Sequence, residues 1–224
     1  RQINKSMCGK CVDCILYGSA IGEDTISKRS HVVADEGFSI LEYNDITTEN
    51  TFNAIYETGT MQDHEGKQSR AINSDESVRP GAIILDIETV TDVTVREFQY
   101  VLANVLRTRR YGAMSTRIGK MKNHVIGILF SDCELFSNLE WVQATYDKVC
   151  QSLDIKKGDR PRFPLDIGKT TAAAKEAMKE LLGKQPGKVT QMTDQEVDET
   201  VRQTIDLYKD TATLEKHLSE LGQQ

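Results

Sequence analysis

Two groups of residues in this chain have the types and spacing that chemistry needs. Cys8, Cys11 and Cys14 stand at C-x-x-C-x-x-C spacing, and Cys133 and Cys150 complete the five cysteines. An odd count with three packed together argues against a secreted disulfide framework and for a metal held in a reducing compartment. Thiolates suit tetrahedral zinc, which normally takes four ligands. The fourth stays open between His31, a distant cysteine and a residue preceding Arg1. A bacterial iron–sulfur run would place a fourth cysteine at position 18, which is Gly18. The other readings are reduced thiols packed under a loop and thiol catalysis.

The second group is the run Arg107–Lys122, RTRRYGAMSTRIGKMK. It carries Arg107, Arg109, Arg110, Arg117, Lys120 and Lys122, and no Asp or Glu occurs between Glu97 and Asp132. The whole chain has a net charge of -6, so this local excess stands out. Gly112, Ala113, Ser115 and Gly119 are small, and glycine tolerates positive φ, so a backbone can come close to a ligand. Cations beside a closely approaching backbone suit a polyanion. The plainer reading is a basic helix end, favoured by the helix dipole, followed by a tight turn. Catalysis has little to stand on. His31, His64, His124 and His217 show no nucleophile–base pattern. Asp35, Asp86 and Asp132 show no carboxylate partner for a two-metal site.

Elements must position these groups. HVVADEGFSILEY has short apolar clusters suited to strands. Residues from Asn50 to Pro80 read as a long, polar hairpin with its turn at DHEGK. GAIILDIETV reads as a strand. Thr94 and Glu97 fit a capping box, and Val95, Phe98, Val101, Leu102, Val105 and Leu106 give one apolar helical face. NHVIGILF reads as a second strand after the basic loop, and strand–helix–strand on one sheet is typical of α/β sandwiches. The remainder reads as helical. Ser137 with Glu140 and Thr193 with Glu196 cap two helices, and residues 170–182 form a third between them. Gln185–Gln224 holds eight acidic and four basic residues, which argues against a nucleic-acid contact there. The composition, 38% hydrophobic and 28% charged, is globular, and no apolar run is long enough to span a bilayer. An intracellular protein is expected. The chain opens at Arg1 directly into the cysteine motif, and an N-terminal part is expected to be missing.

Several of these pieces, in order, match one family. CVDCILYGSAIG resembles the CxxCxLFG element of RAMP-type CRISPR proteins. ETGTM and the hairpin sit where that family places a projecting thumb, and VRPGAIILDIETV resembles its Pro-Gly strand. RRYGAMSTRIGKMK resembles its glycine-rich loop. NAIYETGTM, VLRTRRYGA and LEWVQATYD look like the backbone subunit of the type I-D effector complex, Cascade. The resemblance covers roughly residues 8 to 147. It departs from the pattern in two places. The first strand of the palm is absent, and the loop reads Tyr111-Gly112-Ala113-Met114 where the family usually has Gly-Gly.

The resemblance implies an α+β fold. Residues 1–30 would be a zinc-knuckle insertion. Residues 31–153 would be an RRM-like (ferredoxin-like) palm, N-terminally incomplete, with the thumb hairpin at about 50–80. Residues 154–224 would be a helical C-terminal lobe. It implies a non-catalytic subunit in the cytoplasm of a prokaryote. That subunit polymerises along CRISPR RNA and presents it to a target DNA strand, alongside copies of itself and other type I-D subunits, with no membrane involved. The expected RNA contacts are Arg29, Asn53, Met61, Lys67, Arg70, Arg110, Gly112, Met114, Ser115, Arg117, Gly119, Lys120 and Lys122. Cys8, Cys11 and Cys14 would hold zinc. The alternatives are metal-dependent cleavage of the target strand within the same complex and a stand-alone zinc-bearing RNA-binding module.

Overall fold

A short helix, α1 (Val12–Leu16), is capped by the Cys11 side chain. In the computed structural model, residues 11–21, 26–54, 71–110, 120–156, 158–207, 216 and 219 are described. Gly18 then turns the chain at φ +71° into β1 (Ser19–Ile21), which pairs antiparallel with β2 (Ile26–Lys28). A Cβ on Gly18 would lie 2.4 Å from the Lys28 carbonyl oxygen, so only glycine fits this turn.

The apolar clusters expected to be strands do form them. β3 (Val32–Ala34) and β4 (Phe38–Ser39) pair with β8 (Glu88–Val90) and β7 (Ile84–Leu85) respectively. Backbone bonds from Thr91 N to His31 O (2.9 Å), Asp35 N to Ile87 O (3.0 Å) and Ile40 N to Ile83 O (3.2 Å) join the two pairings into one antiparallel ribbon. The ladder breaks at its middle because two carboxylates turn back on their own backbone. Asp35 Oδ1 accepts from Glu36 N (3.0 Å) and Asp86 Oδ1 from Ile87 N (2.8 Å).

α2 (Tyr43–Ile46) leads into the hairpin stem, β5 (Thr47–Ala54) against β6 (Ala71–Val78), with Thr47 opposite Val78 and Ala54 opposite Ala71. The stem begins three residues earlier than the sequence suggested. These strands pair only with each other among the described residues, so the stem is a sheet separate from the ribbon. Its foot is anchored. Arg79 N donates to Ile46 O (2.6 Å), and the Arg79 guanidinium donates to Asp45 O (3.1 Å) while lying 4.5 Å over the Phe163 ring.

The helices carry most of the core. α3 (Val95–Arg107) starts at the expected capping box and buries Val101, Leu102 and Ala103, while Val95 is 75% exposed. α4 (Asn138–Ser152) and α5 (Ile167–Leu182) pack together. Ala173, Ala174 and Ala177 are small enough to admit Trp141, Val142 and Val149, and Trp141 Nε1 donates to Ala174 O at 2.9 Å. α5 starts three residues before the expected point, because Asp166 accepts from Lys169 N and supplies the cap. α6 (Asp194–Leu207) packs on α3. Its buried residues are Val197 and Thr204, and Ile205 points outward.

The second strand after the basic loop is shorter than expected. Only β9 (Leu129–Ser131) forms a ladder, and its partner is β10 (Val189–Gln191), a strand the sequence reading missed in a region taken as helical. Residues 124–127 make no backbone hydrogen bond among the described residues. Ile128 is buried, and Gly127 lies so close to Met178 that a Cβ would meet its Cε at 3.0 Å. The described strands therefore pair two by two and do not join in one sheet. The architecture is α+β with small antiparallel sheets, consistent with an RRM-like fold.

Candidate nucleic-acid interface

The C-terminus of α3 fixes the foot of the basic loop. Its last carbonyls need donors that the helix itself cannot supply. Asn104 O accepts from both Thr108 N (2.9 Å) and Thr108 Oγ1 (2.7 Å). Asn123 Nδ2 reaches back from the far side of the loop to Val105 O and Thr108 O, the latter at 2.9 Å. Met121 N then donates to Arg109 O at 2.8 Å. The two arms of the loop are thus pinned together at its base. Nothing in the sequence marks Asn123 beyond its place after the cations.

Arg107, Arg109, Arg110, Lys120 and Lys122 are all exposed around this base. None pairs with a carboxylate among the described residues. The cause is visible in the sequence, since no acidic residue occurs from 98 to 131. Five unpaired cations on a fixed base form a surface of positive potential in an acidic protein, which attracts polyanions. Gly112, Met114, Ser115, Arg117 and Gly119 lie outside the described residues.

Arg29 lines the same broad groove as Lys120 and Lys122. It follows β2, is exposed, and shares that groove with His31 and His124. The ribbon side of that groove carries Asp35, Asp86 and Glu88. Burial pushes the Asp86 carboxyl up, and the Asp35 charge adds to this. Glu88 is pushed up by burial and then by Asp86. The sequence alone shows no carboxylate partner for Asp35 or Asp86; the ribbon sets the two near each other. An anion would be drawn to the cationic rim and repelled along the ribbon.

The cysteine turn is docked on the same helix. Val12 and Leu16 of α1 pack against Val101, with Val32, Val90, Val93 and Tyr100 around them. Tyr100 OH donates to Asp13 Oδ1 (2.7 Å), and Asn104 Nδ2 donates to Tyr17 OH (2.9 Å). Burial, followed by the Asp13 contact, pushes the Tyr100 phenol up to about 12, so it stays a donor. Cys11 is exposed and Cys14 half-buried, with Cys14 N donating to Cys11 Sγ at 3.4 Å. Two thiols on one turn, one of them receiving a backbone N–H, fit two places of a tetrahedral thiolate site. Cys8 lies outside the described residues, and no group of three ligating side chains occurs among those described. His31 Nδ1 lies 3.0 Å from Thr91 O; in the tautomer that donates there, Nε2 keeps the lone pair a metal needs.

The hairpin stem places Asn53 opposite Ile72. Met61, Lys67 and Arg70 lie outside the described residues. Among the described residues no helix is long and apolar enough to cross a membrane.

A protein-family model described as Csc2 Crispr matches residues 2–218. No curated protein gives a significant match.

Proposed function

The chain belongs to the Csc2 family of CRISPR Cascade subunits, and from that premise we propose that it is the type I-D backbone subunit, a non-catalytic scaffold that polymerises along CRISPR RNA. The observation that carries this reading is the set of five exposed cations around the pinned base of the loop, none paired with a carboxylate among the described residues. Phosphate contacts hold a strand in register and carry no sequence information. A subunit that must accept any guide sequence needs this property.

In this reading Arg29, Arg110, Lys120 and Lys122 bind guide phosphates, with Arg117, Gly112, Ser115 and Gly119 completing the loop and Met114 packing on a base or ribose. The stem, which pairs only with itself among the described residues, supports the hairpin as the thumb, with Asn53, Met61, Lys67 and Arg70 against the guide and Met61 as the apolar wedge that kinks it. Cys8, Cys11 and Cys14 hold a structural zinc, which braces α1. Neighbouring copies, other type I-D subunits and a target DNA strand are the partners, in the cytoplasm of a prokaryote.

The test is assembly of the purified chain on guide-length RNAs of unrelated sequence, followed by electron microscopy and gel shift. Regular filaments with equal affinity for every sequence support the reading. Binding confined to one sequence, monomeric binding, or no binding at low salt overturns it.

A further inference from the structure

Asn104 stands between two parts of the molecule that sequence distance keeps apart. Its side chain donates to Tyr17 OH at 2.9 Å, one helical turn after Tyr100, whose OH donates to Asp13 at 2.7 Å. Its backbone oxygen holds Thr108 through both N and Oγ1. One residue therefore bonds α1 with its side chain and the exit of α3 with its carbonyl. Arg107 precedes Thr108, and Arg109 and Arg110 follow it. Arg109 O closes the loop onto Met121. Asn123 Nδ2 adds bonds to Val105 O and Thr108 O at the same helix end, where Thr108 is extended (φ −68°, ψ 118°) and no glycine cap is present.

We infer that Asn104 is a positioning residue for the nucleic-acid interface, and that α1, through Tyr17, is the brace that holds it. This rests on the RNA-binding reading above. Long cationic side chains lose rotamer freedom when they meet phosphates, and a fixed backbone beneath them limits that loss. In this inference Tyr17 acts through Asn104, while Tyr100 bonds Asp13 of α1 directly. The apolar contacts of Val12, Leu16 and Val101 dock α1 independently of these hydroxyls. Removing the hydroxyls therefore loosens the link without undocking the helix.

The experiment compares Tyr17→Phe and Asn104→Ala with the unaltered chain on one guide-length RNA. Thr193→Ala serves as the control. It weakens the cap of α6, where Thr193 Oγ1 accepts from Glu196 N, far from the brace in its bonding. Affinity should fall about 3–10-fold in Tyr17→Phe and further in Asn104→Ala. The salt slope should be unchanged, since no phosphate contact is deleted. Backbone amides at 107–110 and 121–123 should exchange with deuterium faster in both variants. Thr193→Ala should lower the unfolding temperature and leave RNA affinity intact while folded. Unchanged affinity in Tyr17→Phe, or a loss that follows the drop in folded fraction, overturns the inference. If the unaltered chain binds no RNA, the functional reading fails instead. Amide exchange then decides the brace alone: unchanged exchange at 107–110 overturns it, and faster exchange supports it.

Discussion

Lys120 and Lys122 are exposed at the loop base, with no carboxylate partner among the described residues. Each contact to a phosphate releases condensed counterions, so replacing either lysine with alanine should weaken RNA binding equally across sequences. It should also make the plot of log affinity against log salt shallower by up to about one unit. A loss restricted to some sequences in a gel-shift series would mean base readout. Cys11 has two roles at once, helix cap and proposed ligand. Cys11→Ser should abolish stoichiometric zinc and lower the unfolding temperature by on the order of 5–10 °C, because metal binding is part of the folding energy. Elemental analysis showing no zinc in the reduced, unaltered protein removes the metal part of that expectation. Asp86 allows a sign to be worked out. Its carboxyl is raised in the fold, chiefly by burial, so the folded chain holds that proton more tightly than the unfolded chain. Stability then falls as pH rises through the window from the ordinary value of 3.8 upward. Asp86→Asn should raise the unfolding temperature at neutral pH, and the gain should vanish below that window. Equal gain at every pH in thermal melts would assign the effect to packing.

At the scale of elements, the stem β5–β6 is joined to the body only at its foot among the described residues. Deleting residues 62–68 should therefore leave circular dichroism and unfolding temperature nearly unchanged while impairing regular assembly on RNA. Normal filaments from the deletion variant would show that this hairpin is not the thumb. The stem, the three capping boxes and the basic loop were legible because each rests on local rules: alternation, Thr-x-x-Glu or Ser-x-x-Glu spacing, and a run free of acids. What was not legible depends on distant partners. α1 is only 5 residues long, and its docking on Val101 sets its place. β10 exists because Asp132 Oδ1 accepts from Lys188 N and Ile128 O from Met192 N, contacts more than fifty residues apart. Asn104 and Asn123 are ordinary in sequence and gain their roles from Tyr17 and from the end of α3. The apolar run at 123–130 was read as a strand by its residue types, yet only its last two residues join the three-residue ladder of β9.

At the scale of the whole molecule, the acidic balance and the unpaired cations belong together. A chain of net charge -6 repels its own copies, and its cationic loop base is the feature through which a polyanion can gather them. Assembly should then depend on RNA, and high salt should disassemble filaments before it unfolds subunits. The hairpin stem adds a geometric consequence. Its eight pairs, Thr47–Val78 to Ala54–Ala71, span roughly 27 Å at about 3.4 Å per residue. In a polymer of identical subunits such a rod is a ruler. Removing two residues from each strand keeps every side chain on its face and shortens the reach by about 7 Å, whereas removing one from each turns the two faces over. The two-residue variant should give filaments with a shorter repeat of nuclease-protected nucleotides, and the one-residue variant should give none. A repeat that ignores the stem's length would place the gauge of the filament elsewhere in the chain.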